Sequence, residues 1–454
     1  MNVLRPDGMF PMTKSAAERE IDRLMTLHPK GFDLSLGRIR RLLEKLGNPQ
    51  DRLPPVIHIA GTNGKGSAAA FSRALLEASG RTVHVHTSPH LVNWHERYRI
   101  GAPGGGRFVE DEVFADAIRR VGTANDGQTI TVFEILTAVG FLLFSEHPAD
   151  VAIVEVGLGG RFDATNVIEN PAACAIMPVS LDHEAYLGDR VELIAAEKAG
   201  IIKRGRPVVV GAQDSDGARD VIVGTAERLG APAYVHGQDF IAFEENGRLI
   251  YQDEDGLLDL PPPRLPGRHQ FANAAAAIAT VKAAGFSLGV ADVEKAMQTV
   301  EWPGRLQKLS SGRLTDFAPR GAELWLDGGH NPGASVVIAE AIVEQEERFP
   351  RPLFLICGMI NTKDQTNFFR AFEGMARHVF TVPVNMSEAS VPNTVLAAHA
   401  AEAGLSAEPV ASIENALLLL RDNWDEADTP PRILICGSLY LAGEVLRLNG
   451  TPPK

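Results

Sequence analysis

The chain has 454 residues, too many for one hydrophobic core, so two or three domains are expected. Hydrophobic residues make up 45% and charged residues 22%, which fits a soluble globular protein. The formal net charge of −13 argues against a nucleic-acid partner, though a local basic site for an anion remains compatible with it.

The N-terminus has no continuous apolar leader, and no run of about 18 apolar residues occurs, so neither a signal peptide nor a membrane span is expected. Cys174, Cys357 and Cys436 lie far apart in apolar runs and read as buried thiols. A disulfide framework or zinc site is not expected, and a reducing cytoplasm is the natural home.

Residues 1–14 read as a loose tail. Residues 15–30 carry a helical pattern with Ala16, Ile21, Leu24 and Leu27 on one side. Residues 38–46 form a second amphipathic helix, ended by Gly47 and Pro49. Residues 101–106 are a glycine-rich loop, and 130–144 is an apolar helix whose surface must be buried. Short strands are expected at 56–60, 83–87, 151–156, 174–180 and 207–211, alternating with helices. That alternation implies a parallel sheet with helices on both faces. Short strands at 239–243 and 248–252 precede a proline run at 261–263, and an alanine-rich helix covers 272–284. The run Trp302, Pro303, Gly304, Arg305 reads as a domain break. A second β/α series follows, with strands at 324–327, 353–358, 379–382 and 433–437. The fold class is therefore α/β: residues 1–304 as an ATPase-type domain with a mostly parallel sheet, residues 305–454 as a smaller Rossmann-like domain.

Residues 56–67, VIHIAGTNGKGS, place a β-branched run, a glycine loop with Lys65 and a helix start in succession. Such a unit cradles phosphate: glycines turn backbone N–H groups toward the anion, the helix N-terminus adds partial charge, and lysine adds a full one. The common G-x-x-x-x-G-K-[ST] form would need glycine at Ile59 and a hydroxyl at Gly66. Glu155 ends the apolar run 151–156, where a carboxylate needs a cation: either a metal or Arg161. Gly157, Gly159 and Gly160 follow and allow close approach of a ligand or another backbone. Ser88, after the strand at 83–87, either reaches a metal or phosphate or makes a plain Ser-Pro turn. His183 is either a metal ligand or a loop hydrogen bonder, and Lys198 on its own reads as a solvated helix lysine. Asp327 ends a strand of the second series and suits a ribose hydroxyl or an amine. His330 suits a phosphate, and a Gly-Gly turn into a helix explains the stretch equally well.

Together these blocks resemble the folylpolyglutamate synthase family of the Mur ligase superfamily. The matching residues include 61–67, 88–91, 133–137, 155–166, 182–183, 197–203, 303–307, 327–332, 358–364 and 437–444, in the family's order. The resemblance implies an enzyme that joins L-glutamate to dihydropteroate and to folates, spending ATP through an acyl phosphate. It implies that Thr62, Asn63, Gly64, Lys65, Gly66 and Ser67 hold ATP, with Asn273, Arg305, Asp327 and His330. Ser88, Glu155, His183 and a carbamylated Lys198 would hold two Mg²⁺ ions, and Lys65, His183 and Lys198 would be the catalytic groups. Thr131, Val132, Phe133, Glu134, Phe162, Asp163 and Ala164 would line the pterin or folate site. Val132 stands where an aromatic is common among bifunctional members. The implied partners are small molecules, with no nucleic acid or membrane, and the implied state is a cytoplasmic monomer. The rival readings are folylpolyglutamate synthesis alone, another amide ligase of the superfamily, and a non-catalytic nucleotide-binding protein. The run GLGGRFDATN and the Ser88–Leu91 block speak for the folate branch.

Overall fold

The computed structural model describes residues 14–27 and 35–454. Of the expected tail at 1–14, residues 1–13 lie outside the described residues, as does the end of the first helix at 28–30. Within them that helix runs Ala16–Met25, closed by a capping box between Ser15 and Glu18.

The first sheet has strands β1 (Val56–Ala60), β2 (Val83–His86), β3 (Tyr98–Ile100), β4 (Arg107–Phe108), β5 (Val151–Glu155), β6 (Ala173–Ile176), β7 (Val208–Val210) and β8 (Ala233–Val235). Their order is β4-β3-β2-β5-β1-β6-β7-β8. The six strands from β2 to β8 in that order pair in parallel, and β3 and β4 add an antiparallel edge around the glycine-rich loop. Alternate strand residues feed opposite cores, as the two-residue period requires. Ile57, Ile59, Val151 and Ile153 pack with Phe71, Leu75 and Ile278 on one face. Val56, Ala152 and Val154 pack with Phe114, Ile118 and Phe141 on the other. The apolar helix is Val132–Glu146, and its residues from Glu134 to Phe144 are buried, as its composition demands.

Three antiparallel strands, β9 (Ile241–Glu245), β10 (Arg248–Asp253) and β11 (Gly256–Leu260), form a small separate sheet against the helix His269–Ala283. The second large sheet holds β12 (Gln307–Leu309), β13 (Glu323–Leu326), β14 (Leu353–Cys357), β15 (Ala376–Thr381), β16 (Ala407–Pro409) and β17 (Arg432–Cys436). Its order is β12-β13-β17-β14-β15-β16, parallel except for β12. Among the described residues no helix is long and apolar enough to cross a membrane.

In an open α/β sheet, ligands bind beyond the carboxyl ends of the strands. Here β1, β2, β5 and β6 deliver Gly61, Ser88, Glu155 and the 177–183 loop to one edge. The loops after β13 and β14 meet that edge, since Asn331 bonds Asn63 and Lys363 bonds Asp182.

Candidate active site

The loop after β1 is shaped by what packs on it. A Cβ on Gly61 would lie 2.6 Å from the Met177 Cβ, and one on Gly64 would lie 2.6 Å from the Asn273 Oδ1. Gly64 also has φ of 82°, a left-handed conformation glycine adopts freely. A Cβ on Gly66 would meet the Trp302 indole at 2.7 Å. The missing hydroxyl of the common phosphate loop is thus explained: Trp302 fills its space. Thr62 exchanges hydrogen bonds with Ser180, its Oγ1 donating to the carbonyl and accepting from the N–H, both at 3.1 Å. Ser67 is buried in the first turn of the following helix.

Two lysines converge on the loop. Lys65 Nζ donates to the Gly61 and Thr62 carbonyls at 3.0 and 3.1 Å. Lys198 Nζ, from the helix Val191–Ala199, donates to the same Gly61 carbonyl at 2.9 Å. Lys198 is not the solvated helix lysine that its sequence context alone suggests: it is buried. Burial, reinforced by Lys65, pushes its pKa down to about 7. Gly160 makes this approach possible, since a Cβ there would lie 2.6 Å from the Glu197 carbonyl oxygen.

Glu155 is buried at the end of β5 and accepts the Ser88 N–H at 3.2 Å. Burial raises its pKa, opposed by the nearby Lys65 charge. A buried carboxylate so sparsely bonded suits a cation. Among the described residues no three His, Cys, Asp or Glu side chains cluster as a metal cage. Any metal here needs donors of other kinds, such as the Ser88 hydroxyl. His183 sits in left-handed conformation at the start of a one-turn helix. Burial, only partly offset by Asp182, lowers its pKa to about 4 and leaves a neutral imidazole.

Asp182 is the junction. Its Oδ1 accepts Lys363 Nζ at 2.6 Å and its Oδ2 accepts Asn331 Nδ2 at 3.1 Å. Burial alone would raise its pKa, but Lys363, His183 and His330 outweigh it and hold the carboxyl well below the usual range. Asp327, at the end of β13, accepts the N–H groups of Leu306 and Gly329 at 2.8 and 2.6 Å and lies 3.8 Å from Arg305. His330 Nδ1 pairs with the Gly328 carbonyl at 2.9 Å.

A cavity of about 380 Å³ opens beside this junction. Thr131, Phe133, Glu134, Phe162, Asp163 and Ala164 line it together with His183, His330 and Lys363. A Cβ on Gly157 would lie 2.3 Å from the Phe133 ring, so the glycine lets that ring reach the wall. Asp163 accepts N–H bonds from Gly157, Leu158 and Thr165 and so fixes the glycine loop. Thr131 and Glu134 close the helix N-terminus as a capping box, and Glu134 also accepts Arg38 Nε at 2.9 Å. Val132 is not on the cavity wall and packs against the core instead. Arg38, Arg97, Ser438 and Tyr440 also line the cavity; Ser438 and Tyr440 fall in the matched block 437–444 without a role assigned, and Arg38 and Arg97 lie outside every matched block. Arg38 and Arg97 leave only a weak signal, because they join the site through tertiary packing.

No family profile matches the chain. Over 428 residues it is 34% identical to the folylpolyglutamate synthase of Lacticaseibacillus casei, spanning 90% of this chain and 92% of that one. The solved structure of E. coli FolC in complex with DHPP and ADP superposes with a TM-score of 0.83 at 26% identity, covering 96% and 99% of the two chains. A bifunctional folylpolyglutamate synthase/dihydrofolate synthase from Yersinia pestis, complexed with AMPPNP and Mn ion, gives 0.82 at 28% identity over 96% and 99%. Fold and site together define a two-domain enzyme of the Mur ligase type. The chain belongs to the folylpolyglutamate synthase family.

Proposed function

We propose that this chain is an ATP-dependent ligase that adds L-glutamate to dihydropteroate and to folates. The observation that carries this reading is the convergence of Lys65, Lys198 and Glu155 on the glycine loop in a chain of this family. Residues 1–304 serve as the ATP-binding domain and 305–454 as the ligase domain. It works as a cytoplasmic monomer on small molecules, without a nucleic-acid or membrane partner.

A carboxylate is a poor acyl donor because its leaving group would be oxide. Attack of its oxygen on the γ-phosphorus of ATP gives an acyl phosphate and ADP. The glutamate amine then attacks the acyl carbon, and phosphate leaves. Charge neutralisation is the largest catalytic requirement of such a sequence. Thr62, Asn63, Gly64, Gly66 and Ser67 present the loop to the phosphates, and Lys65 supplies the positive charge. Asn273, beside Gly64, completes the nucleotide site on the loop's own side, and Arg305, Asp327 and His330 complete it from the other side of the cleft. The relative with bound Mn ion supports a divalent metal. Ser88, Glu155, His183 and a carbamylated Lys198 would hold two Mg²⁺ ions, whose chemistry is to screen the phosphate oxygens. Neutral His183 and buried Glu155 fit that donor set. Lys198 is carbamylated by addition of its neutral amine to CO₂ with loss of a proton.

The pterin lies in the cavity beside Phe133, Phe162 and Ala164, with Thr131, Glu134 and Asp163 on its polar edge. Lys363 lines the same cavity with its charge matched by Asp182. Closure of the two sheets' edges on one another keeps water from the acyl phosphate. The test is ADP release with dihydropteroate or tetrahydrofolate, each with and without L-glutamate. Release that needs both acceptor and glutamate supports the reading. Release indifferent to the acceptor rejects it.

A further inference from the structure

A second cavity, of about 400 Å³, meets the first at Ser88, Pro89 and Leu439. It runs along the face of the helix Lys65–Ala78 that carries Gly66, Ala69, Ala70 and Arg73, the spacing of one helical stripe. Trp302 and Val85 add apolar wall.

Its charges are unevenly spent. The carboxylates are engaged: Glu301 pairs with Arg264 at 2.6 Å, and Glu96 accepts the N–H groups of Leu91, Val92 and Asn93. Glu155 belongs to the catalytic centre. The cations are matched less fully. Arg99 lies 4.4 Å from the Phe108 ring centroid, and among the described residues it donates to the Gly106 carbonyl and to a carboxylate oxygen of the terminal Lys454. Arg73 has no hydrogen bond or ion pair among the described residues. Burial, with the Arg73 charge adding to it and Glu77 and Glu301 opposing it, lowers the Arg99 pKa to about 10. Two guanidinium groups lining one cavity, Arg73 without a partner among the described residues, favour an anion there.

Acceptor length supplies the anion. Each γ-linked glutamyl unit adds roughly 6 Å of chain by standard bond lengths, and one α-carboxylate. The reacting carboxylate must nevertheless reach the same point near Ser88 and Glu155. One fixed pterin seat beside Phe133 therefore serves a short acceptor and not a long one.

We propose that the second cavity holds the γ-glutamyl tail of acceptors that already carry two or more glutamates, with Arg73 and Arg99 taking the tail's α-carboxylates. Ala69, Ala70 and Trp302 face its methylenes. This rests on the ligase reading above.

The test is Arg73→Glu, a charge reversal at a side chain with no partner among the described residues, with Arg73→Lys as the conservative control. Wild type and variants are compared in glutamate addition to dihydropteroate and to triglutamyl tetrahydrofolate, and in calorimetric binding of free tri-γ-glutamate. Arg73→Glu should keep dihydropteroate turnover within about twofold and lose about tenfold or more in kcat/KM with the triglutamate, mostly in KM. It should also lose tri-γ-glutamate binding, which Arg73→Lys retains. Equal losses with both acceptors, no loss with either, or unchanged tri-γ-glutamate binding overturns the proposal. Wild-type protein that uses dihydropteroate but does not bind tri-γ-glutamate overturns the tail site and leaves the ligase reading intact. Wild-type protein that turns over neither acceptor rejects the ligase reading, and the tri-γ-glutamate arm still decides the cavity.

Discussion

The carboxylate of Asp182 and the ammonium of Lys363 lie 2.6 Å apart, with side chains only 9% and 4% exposed. One follows β6 of the first sheet and the other follows β14 of the second, so this pair ties the two strand-end edges together. Breaking a buried ion pair by removing one partner typically costs about 3–5 kcal/mol, because the other charge is left uncompensated. Lys363→Met should lower the melting temperature and cut kcat by at least about tenfold, as an ill-placed edge loses the oriented geometry. Calorimetry and steady-state kinetics check both.

Lys65→Ala should abolish ATP-dependent ligation and leave the fold intact, since among the described residues its amine bonds only loop carbonyls. Near-normal turnover, with circular dichroism unchanged, would remove the loop from the mechanism.

Lys198→Ala should be inactive, and short carboxylates such as formate or acetate should partly restore it by standing in for the carbamate. Full activity without rescue would mean that Lys198 only braces Gly61.

Gly66→Ser restores the hydroxyl of the common phosphate loop and should nevertheless do harm. Its Cβ would meet the Trp302 ring at 2.7 Å. Overpacking of this kind costs about 1–3 kcal/mol. The expected outcome is lower stability and a higher KM for ATP, with Gly66→Ser/Trp302→Leu recovering part of the stability.

Acid should unfold the chain through its buried histidines. Burial lowers the pKa of both His58 and His86 to about 3, against about 6.5 in an unfolded chain. The unfolded state therefore binds more protons below pH 6.5. Their stabilising contribution is complete above that pH and falls by up to about 1.4 kcal/mol per histidine per pH unit between 6.5 and 3. Urea denaturation at pH 7.5, 6 and 5 checks this, and constant stability across that range would contradict it.

The parts of the fold legible in sequence are those with strong local signals. The apolar runs at β1, β5, β14 and β17 and the helix Val132–Glu146 declare themselves by composition. Strands β8 and β16 are three residues long and only partly buried, too short to show a period. Strand β11 is mostly exposed and reads as loop. Sheet order joins segments distant in the chain and leaves no local trace. The same holds in the site. The glycine loop and Glu155 are visible as strand-end motifs, whereas the Asp182–Lys363 pair spans 181 residues. Val132 shows why neighbours in sequence are not neighbours in a site. Thr131 and Phe133 line the cavity, but successive residues of a helix are turned about 100° apart, and Val132 faces the core.

Oxygen transfer tests the central claim most directly. Dihydropteroate labelled with ¹⁸O in both carboxylate oxygens is incubated with the protein, ATP, Mg²⁺ and L-glutamate, and the released phosphate is weighed by mass spectrometry. If the acceptor carboxylate attacks the γ-phosphorus, each amide formed delivers one ¹⁸O to phosphate and keeps the other. Unlabelled phosphate alongside amide product would contradict the account.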